Sequence, residues 1–354
     1  MKNVYLLITD LHLDLVKANR LNYFGEILNS MQDIQNIAER YRSKGYSVNA
    51  IFLGDVFDGS LSNSSDAMQL IEVMRYFCSG FNRVWSVVGN HELTYAKDNP
   101  FWFLVSEIRD KDLRQIGRFI QPQGLCNVIS VEDIFTDGDV SFYFNHFGIP
   151  HKVPIARGIR IGLFHQNIGS NDICKMWGTF DNAEEASYLH GYTYCYFGHL
   201  HLAKGKFYLN EGHTCVGEWL GSIGRTKADE VTVENCKVNI PAIKVDCGKF
   251  EGIEDNPIEL LAPSQCIDFE KLRASQKSRQ LIEERRKAIG GSSYMCDTLY
   301  KTLEVAFNNT PISFLLDFLN RPWEDVYQSY SQTLKEALIE DEKEEEVNEG
   351  ESYE

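Results

Sequence analysis

The chain lacks three features, and each absence removes a class of protein. No CxxC pair occurs among its nine cysteines (78, 126, 174, 195, 215, 236, 247, 266 and 296), which are scattered and odd in number. That pattern excludes a zinc ribbon or a disulfide framework, and reduced, mostly buried thiols in a reducing cytosol are expected instead. Long apolar runs are also missing, since no segment reaches the ~20 residues needed to cross a bilayer. The opening stretch "MKNVYLLITDLHLD" has only a short apolar run closed by Asp10 and His12. It is too short for a signal-peptide core and reads as a buried first strand, so a soluble, cytoplasmic protein is expected.

Positive charge is the third shortage. Lys and Arg number 35 against 51 Asp and Glu, a formal net charge of −16. The deficit is uneven: Glu336 to Glu354 hold ten acids and one lysine, or −9, which leaves −7 for the preceding 335 residues. The body is mildly acidic, and the tail "EDEKEEEVNEGESYE" offers nothing to build a core, so 339–354 should be disordered.

What is present is enough for one large core and a smaller appended unit: 354 residues, 43% of them hydrophobic. "VYLLIT" reads as a strand. Leu21, Phe24, Leu28, Met31, Ile34, Ile37 and Tyr41 then repeat at helical spacing until Gly45. "VNAIFLGD", "SSDAMQLIEVMRYFCSG" and "RVWSVVGN" continue as strand, helix and strand. This βαβαβ order predicts a parallel sheet covered by helices. "GIRIGLFHQ" and "TYCYFGHLH" are two further strand-to-loop junctions, and residues 124–149 read as short strands turning at "DGD". Residues 229–262 read as antiparallel strands with turns, and the chain beyond them, to 338, as helices. The helix predicted over 268–289 carries seven Lys or Arg against four acids.

Polar residues able to ligate a metal gather where the strands end: Asp10 and His12 in "TDLHLD", Asp55 and Asp58 in "LGDVFDG", Asn90, His91 and Glu92 in "VVGNHE", His165 in "LFHQN", then His199 and His201 in "GHLH". Loops leaving the C-terminal edge of a parallel sheet converge there. Asp10, His12, Asp55, Asn90, His165, His199 and His201 make seven candidate donors, too many for one ion that must keep a position open. With Asp55 bridging, two ions receive four donors each. Nitrogen and oxygen donors without thiolate suit Mn, Fe or Zn.

In this order the motifs D-x-H, G-D-x-x-D, G-N-H-E, a lone His and G-H-x-H resemble the calcineurin-like metallophosphoesterase superfamily over residues 4 to about 225. The resemblance implies an α/β fold, a four-layer sandwich of mixed β-sheets flanked by helices. It assigns one ion to Asp10, His12, Asp55 and His201, and the other to Asp55, Asn90, His165 and His199. Two divalent ions, Mn²⁺ first, would share a hydroxide and clamp the phosphate oxygens. The catalytic pair expected is His91, facing substrate, and Asp58, orienting a histidine; Asp58 also reads as a helix cap. Glu92 is expected to be supporting or salt-bridged.

"DLHLD", "GDVFDG" and "WLGSIGRT" look most like the SbcD-like DNA repair nuclease branch. That branch implies DNA as substrate and an SbcC-like ABC-type ATPase as partner, with a catalytic domain at 1–228, a cap-like β region at 229–265 and partner-binding helices at 266–338, a homodimer left open and no membrane contact. The basic run 268–289 fits phosphate-backbone binding, or a solvated helix of mixed charge. The alternative is a small-molecule phosphoesterase acting on a nucleotide, cyclic nucleotide or phosphomonoester with the same metal site. His146, His151, His190 and His213 are expected to be structural or at the surface. Phe101, Trp102 and Phe103 are expected to pack, with a groove wall as the second reading.

Overall fold

The first strand, β1 (Lys2–Ile8), shows how the layers arise. Successive side chains of a strand point to opposite faces. Val4, Leu6 and Ile8 pack with the helices α1 (Tyr23–Ser43) and α2 (Ser64–Ser79), whereas Tyr5 and Leu7 pack against a second sheet. In β2 (Ser47–Phe52), Val48, Ala50 and Phe52 take the helical side and Ile51 the other. Both strands are buried on both faces, which is why they read as continuous apolar runs rather than alternation.

The structure, a computed structural model, describes residues 1–59, 64–94, 99–116, 128–178, 180–209, 215–227, 230–232 and 236–288. The remaining strands, in chain order, are β3 (Val84–Ser86), β4 (Val105–Ile108), β5 (Ile129–Val131), β6 (Ile134–Asp137), β7 (Val140–Asn145), β8 (Ile159–Phe164), β9 (Ile168–Gly169), β10 (Asp181–Asn182) and β11 (Tyr194–Phe197). They continue with β12 (Gly205–Leu209), β13 (Cys215–Trp219), β14 (Lys237–Asn239), β15 (Ala242–Asp246), β16 (Lys249–Glu254) and β17 (Pro257–Glu259). One sheet has the order β16-β15-β1-β2-β3-β5-β4 and the other β12-β13-β11-β8-β7-β6, with β9–β10 and β14–β17 as small pairs. Both large sheets mix parallel and antiparallel neighbours. The architecture is the mixed α/β sandwich expected.

Three differences from the sequence reading have physical reasons. The βαβαβ order by itself pointed to one parallel sheet, whereas the strands form two packed sheets, as the resemblance implied, because Val140, Phe142, Phe144, Ile161 and Leu163 bury against Tyr5, Leu7, Ile51 and Trp85. Residues 229–265 place β15 and β16 on the edge of the first sheet, β15 pairing antiparallel with β1 from Lys2↔Asp246 to Leu6↔Ala242. Ile243 and Val245 complete the core between the sheets, so this part of the expected cap is continuous with the sandwich. Finally, Leu21 lies outside α1 and is 59% exposed, because Asn22 caps the helix by accepting the Gly25 N–H at 3.1 Å.

Met1–Phe269 form one compact unit and Glu270–Glu354 a second. Within the second, the helix begun at Phe269 runs to Ala288. The rest of the helical region expected to reach 338, the acidic tail and His213 lie outside the described residues. Among the described residues no helix is long and apolar enough to cross a membrane.

Candidate metal centre

Five strands deliver the site. Asp10, Asp55 and Asn90 follow β1, β2 and β3 of the first sheet, and His165 and His199 follow β8 and β11 of the second. The loops close on one another through backbone bonds: His12 N donates to Asp55 O at 2.9 Å, Gly198 N to Phe164 O at 2.9 Å, and Gly224 N to Asp10 O at 2.9 Å. Ser222 Oγ also donates to Asp10 O, at 3.1 Å, so the "WLGSIGRT" segment clamps the first ligand loop from downstream.

The backbone here is held away from its preferred regions. Asp10, His12, Asp55 and His199 have φ of 39°, 46°, 48° and 74°. Such left-handed residues cost of order 1–3 kcal/mol each and persist where surrounding structure over-determines them. Gly54, at φ 94°, precedes Asp55 and lies so close to His165 Nδ1 that a Cβ would overlap it. A Cβ on Gly89 would strike the Asp55 carboxylate. These contacts explain the glycine before Asp55 and before Asn90.

Each imidazole is anchored on its outer side. His165 Nδ1 lies 2.7 Å from Leu53 O, His199 Nε2 2.7 Å from Asn167 Oδ1, and His201 Nδ1 3.0 Å from Glu230 Oε1. His91 Nδ1 bonds the Asp58 carbonyl, and His12 Nδ1 lies 3.2 Å from Asp58 Oδ1, off the hydrogen-bond direction. An acceptor on the outer nitrogen holds the proton there and leaves the inner nitrogen as a lone pair when the ring is neutral.

The inner atoms converge. His12 Nε2 is 2.9 Å from His201 Nε2, and Asn90 Oδ1 is 3.0 Å from His165 Nε2 and 2.9 Å from His199 Nδ1. Asp55 Oδ2 lies 3.7 Å from His12 Nε2 and 3.3 Å from His165 Nε2, between the two groups. Asp10 Oδ1 lies 3.8 Å from His201 Nε2. Donor atoms of Asp10, His12 and His201 fall within 4.8 Å of one another, as do those of Asp55, His165 and His199. All seven sequence-derived ligand candidates therefore meet in one place. Their crowded lone pairs, with nitrogen and oxygen donors throughout, fit divalent cations.

A model of the family described as calcineurin-like phosphoesterase matches residues 4–203. The chain belongs to that family. The family is one of metal-dependent hydrolases that use two divalent metals, and the donor groups of this chain fit such ions. A search of curated proteins finds no match. Among solved structures the chain is similar to a 5′-nucleotidase precursor from Thermus thermophilus, at 15% identity and TM-score 0.41, over 80% of this chain and 60% of that one. It is also similar to a putative 5′-nucleotidase from Staphylococcus aureus (13%, TM-score 0.39, 74% of this chain and 55% of that one). A dimetal phosphatase from Danio rerio is matched at 12% identity and TM-score 0.40, over 73% of this chain and 99% of that one. The chain thus spans just over half the length of the two nucleotidases.

The site also contains supporting residues, two of which the motifs do not point to. Glu92, fully buried, accepts three backbone N–H groups: Gly89 at 2.8 Å, Asp55 at 3.0 Å and Val56 at 2.8 Å. It fastens the Asp55 loop to the short helix α3 (Asn90–Thr94). Glu230 and Asn167 were not singled out; Asn167 stands two residues after His165, but nothing in the sequence tied Glu230 to the site. Asp58 meets His12, His91 and Lys17. His146 is buried, accepts Val88 N at 2.9 Å and plays a structural part. His151 stacks on Tyr188 at 3.9 Å, and His190 is exposed. Phe101 and Trp102 are buried in the core, with Trp102 Nε1 donating to Glu92 O at 3.1 Å.

Charges in the cluster are strongly coupled. Burial pushes Asp55 up, but the charges of His165, His12 and His91 outweigh it and hold the carboxyl well below its usual range. Burial lowers His165, yet Asp55 raises it further, to about 9. His199 is lowered to about 3 by burial and by the charge of His165. Burial and the neighbouring Asp55 push Glu92 up.

Proposed function

We propose that this phosphoesterase hydrolyses small phosphate esters, such as nucleotides, cyclic nucleotides or phosphomonoesters, with two divalent ions. The carrying observation is the inward convergence of His12, His165, His199 and His201 with Asp10, Asp55 and Asn90. Asp10, His12, Asp55 and His201 would hold one ion, and Asp55, Asn90, His165 and His199 the other. Bound divalent ions supply Lewis-acid charge at phosphoryl oxygens and a water acidic enough to attack at neutral pH. His91 is the residue left to act on substrate. Its Nδ1 is held by the Asp58 carbonyl, its Nε2 lies 3.9 Å from Asp55 Oδ2, and its side chain is 26% exposed. From there it hydrogen-bonds a phosphoryl oxygen or protonates the leaving oxygen.

The small-molecule reading is favoured by the charge around the site. Lys17, the cation beside Asp58, is already engaged by Asp58 and by Asp14 at 3.0 Å. A DNA track needs Lys and Arg free for successive phosphates. The second reading is DNA phosphodiester cleavage with Mn²⁺, in repair with an ABC-type ATPase partner. It draws on the basic run 268–289, which lies almost wholly in the second unit.

One panel separates them: p-nitrophenyl phosphate, bis-p-nitrophenyl phosphate and nucleotides beside single- and double-stranded DNA, each with Mn²⁺ and with chelator. Turnover of nucleotides or monoesters without DNA degradation supports the first reading. Processive loss of DNA, or co-purification with a coiled-coil ATPase, supports the second. No metal-dependent turnover of any ester would sink both.

A further inference from the structure

Glu230 lies downstream of the 4–203 family match, on a segment to which no motif assigns a role. Its residue is 6% exposed, and Oε1 sits 3.0 Å from His201 Nδ1. The carboxylate is itself fixed: Oε2 accepts the Lys227 N–H at 3.2 Å and the Thr226 hydroxyl at 3.4 Å. A buried carboxylate behind an imidazole holds the proton on the near nitrogen, raises the basicity of the far one and sets the ring plane. The far nitrogen is Nε2, which faces His12 Nε2 at 2.9 Å and Asp10 Oδ1 at 3.8 Å.

The other half of the site is backed differently. His165 leans on a backbone carbonyl, Leu53 O, and His199 on an amide oxygen, Asn167 Oδ1, both uncharged. His12, like His201, faces a carboxylate, Asp58 Oδ1 at 3.2 Å. The halves therefore differ in the charge behind their imidazoles as well as in the ligands themselves.

We propose that Glu230 is a positioning residue that locks His201 with Nε2 toward Asp10 and His12, and so makes this half the tighter divalent-cation site. The inference rests on the binuclear reading of the centre. It requires that the two cations bind unequally, the Asp10–His12–His201 half filling first.

The test is calorimetric titration of the cation-free full chain with Mn²⁺ alone, beside Glu230→Ala and Glu230→Gln. Wild type should show two unequal events. Glu230→Ala should weaken the tighter one about 10–100-fold and leave the other within about threefold, with Glu230→Gln in between. In the cation-free protein, ¹⁵N imidazole shifts should place the His201 proton on Nδ1, and the variants should lose that preference. Circular dichroism confirms that each variant is folded; should Glu230→Ala fail there, Glu230→Gln carries the comparison. Unchanged affinities in folded variants, or equal weakening of both events, would overturn the role of Glu230. A wild type that binds no Mn²⁺ would instead overturn the binuclear reading.

Discussion

The Nε2 atoms of His12 and His201 lie 2.9 Å apart, at the centre of a cluster that also brings in Asp10 and Asp55. Two imidazole lone pairs at that distance need a proton or a cation between them. Binding of Mn²⁺ should therefore stabilise the fold. At a hundred times Kd the gain is about 2.7 kcal/mol, which for a domain of this size raises Tm by roughly 5–10 °C. Thermal melts with Mn²⁺ and with EDTA measure it, and identical melting points would speak against a cation site.

Gly89 has no room for a methyl group beside Asp55. Gly89→Ala forces the carboxylate or the loop aside, and Gly54→Ala adds a left-handed alanine against His165. Each should cost about 1–3 kcal/mol and abolish tight metal binding. Urea unfolding with parallel metal analysis checks both, and wild-type metal content in either variant would contradict the packing described.

Glu92 faces three N–H donors, so its amide analogue is not conservative. In Glu92→Gln the NH₂ must meet either Val56 N–H or the pair from Asp55 and Gly89. A buried donor left without a partner costs about 1–3 kcal/mol, and Glu92→Ala leaves three. The expected order of urea midpoints is wild type, then Gln, then Ala. A Gln variant as stable as wild type would mean that these bonds are not what fastens the loop.

His91→Ala should keep both cations, since the hydrogen bond His91 gives Asp55 Oδ1, at 3.0 Å, comes from its backbone N–H, which alanine retains. Turnover should nonetheless fall about 10²–10⁴-fold, the usual contribution of a positioned acid or base. Steady-state kinetics with metal analysis tests this. Full turnover would remove His91 from the reaction.

The pH dependence of stability should carry the mark of His146, whose burial lowers it from 6.5 to about 4. The unfolded chain takes up its proton near 6.5 and the folded one only near 4, so stability falls as pH drops through that window. The loss is on the order of 3 kcal/mol. Urea midpoints between pH 7 and pH 4, compared with those of His146→Gln, isolate the contribution. Parallel profiles for the two proteins would assign the loss to other groups.

Much of this was readable along the chain. The apolar runs of β1 and β2, the Gly45 stop after α1 and the Gly–Asp, Gly–Asn and Gly–His junctions are local features, because turn geometry is written in neighbouring residues. All seven donor candidates could be named from their place after strands. The sequence could not tell that β8 and β11 belong to a second sheet, since a buried strand looks the same whichever sheet it joins. Nor could it show that β15 returns from the far end of the same unit to pair with β1, because strand partners are chosen by long-range burial. Glu230 was invisible for the same reason: a lone glutamate in a loop acquires meaning only when folding sets it behind His201. Local chemistry along the chain specified which atoms can bind a cation and which turns present them. Tertiary structure alone decided which imidazole nitrogen faces inward, because that depends on the acceptor standing behind each ring.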